Sequence, residues 1–360
     1  MKIALLNLTV DNNFGGNLQR YALMKVLSDL GHNVTFLNIR TKYKLKWYKY
    51  PYSYMKRVLK KMFNHYVHIR LEKYKTLEME RLCGKQKEFF DKYVNHTNPL
   101  FTEKDLISES QKAYDAFIVG SDQVWRKRMT RQIGLKNYFF YFLKDIPVIK
   151  IAYSASFGVD YNQYTRNEIK QLGNLYRQFN AVSVREISAL KLLHFYGWQT
   201  PNAMVTLDPT LLLDRNDYIC LIKDNPVHDK AKDKIFCYVL DSTREIDNLI
   251  KSKSQELGVG VVMCNLSEDT EISIVQWVAN IHNAQLIITD SYHGTIFSLI
   301  FNKPFLLLKN EDRGGCRFDS LAALLNISFN DSLSLDYDKL NQRIEVLRNQ
   351  SIAFFNNVLQ

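Results

Sequence analysis

What the sequence lacks excludes most of the common chemistries. No stretch approaches the roughly 18 consecutive apolar residues of a membrane-spanning helix. The apolar run in MKIALLNLTVDNN is too short for the core of a secretion signal, and no small-residue cleavage site follows it, so a cytoplasmic protein is expected. Cysteines number five (Cys83, Cys220, Cys237, Cys264, Cys316), without CxxC spacing, which argues against a disulfide framework and against a zinc site and fits a reducing compartment. There is no P-loop, no GxSxG elbow, no HExxH and no Cys/His cluster, so no metal is expected. With 7 Pro and 14 Gly in 360 residues and no low-complexity tract, the chain is long enough for two folded domains.

What is present is unevenly placed. Between Arg40 and Lys75 there are 12 basic residues and one acid, Glu72, so this segment's net +11 equals that of the whole protein. Seven Tyr and one Trp share the segment, and Met55, Val58, Leu59, Met62, Phe63, Tyr66 and Val67 recur at helical spacing. An amphipathic helix is expected. It fits a peripheral contact with anionic lipid through residues 40–75, or a core-packed helix with a solvated basic face. No nucleic-acid motif accompanies the charge, so nucleic acid is not an expected partner.

Strand-like and helix-like runs alternate along the chain, the mark of α/β layers. KIALLNL, GGNLQRYALMKVLSDLG and NVTFLNI read as a βαβ opening, followed by strands at AFIVGSD, KIAYSASFG, AVSVRE and AMVTLDPTLLL. A second alternation begins with KIFCYVL and continues through VGVVMC, AQLIITD and PFLLL. The expected fold is two Rossmann-like doubly wound domains. The first covers residues 1–200, with a basic helical insertion at about 40–95. The second covers 201–334, with a hinge region at 199–234, and a helix at 335–360 packs back across both.

Several strands end in residues able to hold a ligand, as strand termini in open α/β sheets do. Gly15, Gly16 and Asn17 follow the first strand and open a helix. They allow close backbone approach to an anion or make a simple turn, and no GxGxxG dinucleotide pattern is present. Ser121 and Asp122 end AFIVGSD and suit a polyol or a helix cap. Arg185 ends AVSVRE, an anion fork or the partner of a nearby acid. In Asp290-Ser291-Tyr292-His293-Gly294 a strand gives way to a helix, and His293 falls in the first turn, where proton exchange near neutral pH is within its range. Arg313 and Arg317 follow PFLLL as further anion contacts or as caps of a helix beginning near Asp319.

Six segments in this order, FGGNLQRYAL, YDAFIVGSDQVW, KIAYSASFG, AVSVRE, TLDPTLLL and AQLIITDSYHGTIFSLIFNKPF, resemble the polysaccharide pyruvyl transferase family. The resemblance runs over residues 1–325 apart from the basic insertion. It implies a fold similar to GT-B glycosyltransferases, with two domains facing a cleft and the donor on the second. It also implies transfer of pyruvate from phosphoenolpyruvate, a substrate rather than a cofactor, to a sugar, with release of phosphate. The acceptor would belong to a cell-surface polysaccharide such as a capsule or exopolysaccharide, or to its lipid-linked repeat unit at the inner face of the cytoplasmic membrane. The product would be a pyruvate ketal. His293 matches the family's histidine, an acid/base, and Arg185 its anion-binding arginine. Gly15, Gly16, Asn17, Ser121 and Asp122 would meet the acceptor. Ser291, Tyr292, Gly294, Arg313 and Arg317 would line the rest of the site. Many members have Arg-Leu-His-Gly where this chain has Ser291-Tyr292-His293-Gly294, and Arg313 or Arg317 is the candidate replacement. A GT-B glycosyltransferase using a nucleotide sugar, or a non-catalytic glycan-binding module, are the other classes the pattern admits.

Overall fold

The computed structural model describes residues 1–40, 48, 50–63, 83–264, 272–308 and 315–359. The chain opens with β1 (Lys2–Leu6), α1 (Phe14–Asp29) and β2 (Asn33–Phe36), then α2 (Tyr50–Phe63), α3 (Gly84–Tyr93) and α4 (Glu103–Ser110). β3 (Ala116–Asp122), β4 (Ile149–Ala155), α5 (Arg166–Tyr176), β5 (Ala181–Val184), α6 (Ile187–Phe195) and β6 (Ala203–Val205) complete a parallel sheet of order β2-β1-β3-β4-β5-β6. α7 (Arg215–Lys223) leads to β7 (Ile235–Tyr238), α8 (Arg244–Leu257), β8 (Val261–Met263), α9 (Ile274–Asn283), β9 (Leu286–Thr289), α10 (Tyr292–Ile300) and β10 (Phe305–Leu307). These four strands form a second parallel sheet, β10-β9-β7-β8, and α11 (Gly315–Leu325) and α12 (Tyr337–Asn356) follow.

Alternation along each strand explains why both sheets are covered on two faces. Ile3 and Leu5 of β1 enter one apolar core, while Ala4 and Leu6 enter another, as in a strand sandwiched between helix layers. Phe236 and Ile287 likewise face the first core, whereas Ile235, Cys237, Leu286 and Ile288 pack outward. That first core is shared by the two domains. Phe14, at the start of α1, stacks on Trp277 of α9 with ring centroids 5.6 Å apart and meets Tyr238 of β7 at 5.9 Å. Burial of a Phe side chain contributes about 1.5–3 kcal/mol, so the domains are joined by packing as well as by chain.

Three boundaries differ from the sequence reading. β6 pairs with β5 through Val182 and Ala203, so the first sheet extends past residue 200, and the chain passes to the second domain between Leu213 and α7, which packs on α9. The basic insertion does not run to residue 95 as a separate unit. Phe89 and Phe90 of α3 are buried in the shared core, and the helix packs on both α1 and α9. α11 begins at Gly315, not near Asp319, so Arg317 lies within its first turn. α12 packs on both domains: Phe355 sits 4.5 Å, ring to ring, from Tyr153 and Ser351 Oγ accepts from the Leu207 amide at 3.1 Å, while Arg343 Nε donates to the Leu324 carbonyl of α11 at 3.0 Å and the Tyr337 hydroxyl to the Lys303 carbonyl at 2.6 Å. Among the described residues no helix is long and apolar enough to cross a membrane, and no cluster of His, Cys, Asp and Glu is arranged to hold a metal.

Candidate active site

Parallel strands send their carboxyl ends to one side, and here the two sheets aim those ends at each other. From the first sheet come Asp122 at the end of β3, Arg185 directly after β5 and Asp208 three residues beyond β6. From the second come His293, in the first turn of α10, and Arg317, in the first turn of α11. Ser291 caps α10 by accepting from the Gly294 amide, and the Ile187 amide of α6 donates to Ser320 of α11 at 3.2 Å, which draws Arg317 toward Arg185.

Asp208 is the hub. Its Oδ1 accepts from the Thr210 amide at 3.0 Å and the Thr210 hydroxyl at 2.7 Å, and its Oδ2 accepts from Arg185 Nη1 at 3.1 Å and from Gln19 Nε2. His293 Nε2 lies 3.6 Å from the same Oδ2, a distance for charge attraction and too long for a hydrogen bond. Burial alone would raise the Asp208 carboxyl, but His293, Arg185 and Thr210 together hold it well below the usual carboxylate range. Arg185 extends its other terminal nitrogen, Nη2, to Asp122 Oδ1 at 3.1 Å, and its side chain is 1% exposed. Burial opposes charge on Asp122 too, and there Arg185, Arg317 and His293 outweigh it and lower the carboxyl. Glu186 goes the other way. Burial raises it although Arg185 stands nearby, and its Oε1 is used by Ser156 and the Phe157 amide.

The imidazole is held on its other side by backbone. A Cβ built on Gly15 would stand 2.1 Å from His293 Cγ and Nδ1, so only glycine lets the start of α1 close on the ring. Both guanidinium groups lie over the ring of Tyr292, Arg185 Cζ at 5.0 Å and Arg317 Cζ at 5.2 Å from its centroid. Around this centre Gln19 Oε1, Ser121 Oγ, Arg185 Nε, Glu186 Oε2 and His293 Nε2 are buried and make no hydrogen bond within the chain, although Arg185 Nε and Glu186 Oε2 face each other as an ion pair at 3.8 Å. Buried polar atoms are nearly always paired, so their concentration here marks a place built for something else to bind.

Of the residues singled out from sequence, His293, Arg185, Asp122, Ser121, Tyr292, Gly15 and Arg317 come together at this junction. Gly16 and Asn17 are spent locally. The Gly16 amide donates to Asn13 Oδ1, and the Asn17 amide group donates to the Asp11 and Asn13 carbonyls while its oxygen accepts from Arg20. Gly294 is required by packing, since a Cβ there would meet Thr289 Oγ1 at 2.3 Å. Asp290, three residues before His293 in sequence, accepts from the amides of Leu240 and Asp241. The acid facing His293 is instead Asp208, which the sequence analysis did not single out. Arg185 is not an open fork, because both of its terminal nitrogens already hold carboxylates. Arg313 lies outside the described residues.

A sequence model of the family described as polysaccharide pyruvyl transferase matches residues 13–312, most of the chain. The protein belongs to that family. Asp122, Arg185, Asp208 and His293 all lie inside the span that this transferase family covers, whereas Arg317 lies beyond it. No curated protein matches the sequence. Among solved structures, UDP-GlcNAc 2-epimerase from Neisseria meningitidis, bound to UDP-GlcNAc, is 10% identical with full coverage of both chains and a TM-score of 0.52. UDP-N-acetylglucosamine 2-epimerase from Rickettsia bellii is 11% identical, covering 99% of this chain and 98% of that one, at 0.49. A Streptomyces sp. SF2575 glycosyltransferase is 9% identical, covering 99% and 96%, at 0.40. At such identities the likeness concerns fold, and this family member has the GT-B-like arrangement of two Rossmann-like domains.

Proposed function

We propose that this transferase moves pyruvate from phosphoenolpyruvate to two hydroxyls of a saccharide, forming a ketal and releasing phosphate. One observation carries the reading: an imidazole is held between Asp208 and the backbone of Gly15, beside two arginines that share the Tyr292 ring. Addition of a hydroxyl oxygen to the central carbon of the donor requires a proton at its methylene carbon. The C–O bond to phosphate then breaks, a second hydroxyl closes the ring, and its proton leaves with phosphate. His293 is the group that moves these protons. Its Nε2 edge faces Asp208, which orients the ring, and the backbone of Gly15 closes on its Nδ1 side. Arg317 receives the donor's negative charge, while Arg185 adds its charge from behind with its terminal nitrogens on Asp122 and Asp208 and its Nε facing Glu186. The acceptor enters past Gly15 and Ser121.

Purified protein with phosphoenolpyruvate and a panel of diol-bearing saccharides tests this by phosphate release and by mass gain of the acceptor. Turnover is expected, with His293→Ala lowering it by about 10²–10⁴ while the fold is retained. Stabilisation by a nucleotide sugar, with no phosphate released from phosphoenolpyruvate on any acceptor, would overturn the proposal in favour of glycosyl transfer.

A further inference from the structure

The helix α2 is built inside out relative to an ordinary surface helix. At about 100° per residue, Tyr52, Met55, Val58, Leu59 and Met62 fall within an arc of roughly 120°. A helix packed on a globular core turns such an arc inward. Here these residues are 66%, 56%, 44%, 50% and 71% exposed. The half-buried positions, Tyr50, Ser53, Tyr54 and Arg57, lie on the opposite face, where Tyr50 stacks on Tyr54 and the Arg57 guanidinium covers the Tyr54 ring. Lys56 and Lys61 are exposed on the flanks of the apolar arc. Four neighbouring large apolar side chains and a tyrosine on one outward face form a contiguous patch of the kind that marks a docking surface.

We infer that α2 lies flat on an anionic lipid surface, with Tyr52, Met55, Val58, Leu59 and Met62 entering the interface and Lys56 and Lys61 reaching its phosphates. Charge selects this occupant. The segment from Arg40 to Lys75 carries net +11 while the rest of the chain is balanced, and an anionic bilayer is attractive to that charge and receptive to the apolar arc at once. A protein partner with an apolar groove would satisfy the arc alone. At 14 residues the helix is about 21 Å long, shorter than the bilayer's hydrocarbon core, so it lies in the interface and does not cross it. The lysine stems are long enough to keep their ammonium groups at the headgroups while the helix axis sinks. This inference is independent of the reaction assigned above, and its test uses no substrate.

The test is flotation of the full-length protein with vesicles of phosphatidylcholine containing about 30% phosphatidylglycerol, and with phosphatidylcholine alone. Binding is expected to the anionic vesicles only, weakening as salt is raised. The Met55→Ser/Leu59→Ser/Met62→Ser variant is expected to lose binding about tenfold or more, and Lys56→Gln/Lys61→Gln several-fold. All of these side chains are exposed, so the thermal midpoint should stay at its wild-type value, which separates lost docking from lost folding. Three results would overturn the inference. The wild type could fail to float with anionic vesicles at low salt, or the apolar variant could bind as the wild type does. A vesicle-free dimer in sedimentation velocity that the apolar variant abolishes would assign the face to a second copy of the chain instead.

Discussion

The charged centre at the domain junction and the basic helix α2 use the same residue types, arginine or lysine with tyrosine, under opposite conditions. At the junction each cation is buried and matched: Arg185 holds Asp122 and Asp208, and with Arg317 it covers Tyr292. On α2 the exposed cations have no acid within their own helix, and apolar side chains face water. The first arrangement gains its strength from low dielectric and fixed geometry, so it acts over a few ångströms and is insensitive to salt. The second works at long range and is screened. One region is therefore suited to chemistry on a held anion, and the other to finding an extended anionic surface.

Substitutions can break this contrast in graded steps. Asp208→Ala should have the largest effect, because it strands the buried charge of Arg185 and releases the imidazole. A loss of about 3–5 kcal/mol in urea unfolding is expected, with turnover falling by about 10² or more. Gly15→Ala should follow. Its methyl group meets the His293 ring, so turnover should drop at least about tenfold for a stability loss of about 1–3 kcal/mol. The pH dependence of stability comes next. Asp208 and Asp122 are held below their ordinary range, so their contribution is present above about pH 4 and is lost as pH falls through and below that value. Unfolding midpoints measured from neutral to acid pH should show this, at about 1.4 kcal/mol per pH unit for each such group, and Asp208→Asn should flatten the slope. Glu186, raised by burial, opposes it, contributing nothing below its ordinary range and costing stability as pH rises past it. The smallest effect is expected on α2, where Met55→Ser/Leu59→Ser/Met62→Ser should leave turnover of a soluble acceptor within about twofold of wild type. A large loss there would join the two regions that the structure keeps apart.

The ten strands among the described residues were legible because each is a short, largely apolar run, and ligand-bearing ends followed from the parallel order. α3 was not, because its charged residues merged with the basic segment, and Phe89 and Phe90 show their purpose only when α1 and α9 lie against them. Asp208 was missed for a related reason. Its partners Gln19 and Arg185 are 189 and 23 positions away, while its local context, a proline and a threonine hydroxyl, reads as a turn. Asp290 shows the opposite case, three positions from His293 in sequence yet committed in space to the loop after β7.

The position of α12 bears on how the protein is made. Leu207 bonds to Ser351 across 144 intervening steps of the chain, and Arg348 reaches the carbonyls of Leu211 and Leu213. On the ribosome, the first domain can form its six strands early but leaves Tyr153 and the end of β6 uncovered until α12 emerges. During that interval the second domain is being synthesised. The nascent first domain therefore waits, with an apolar flank open, for a helix encoded far downstream, and that is the window in which a chaperone would matter most.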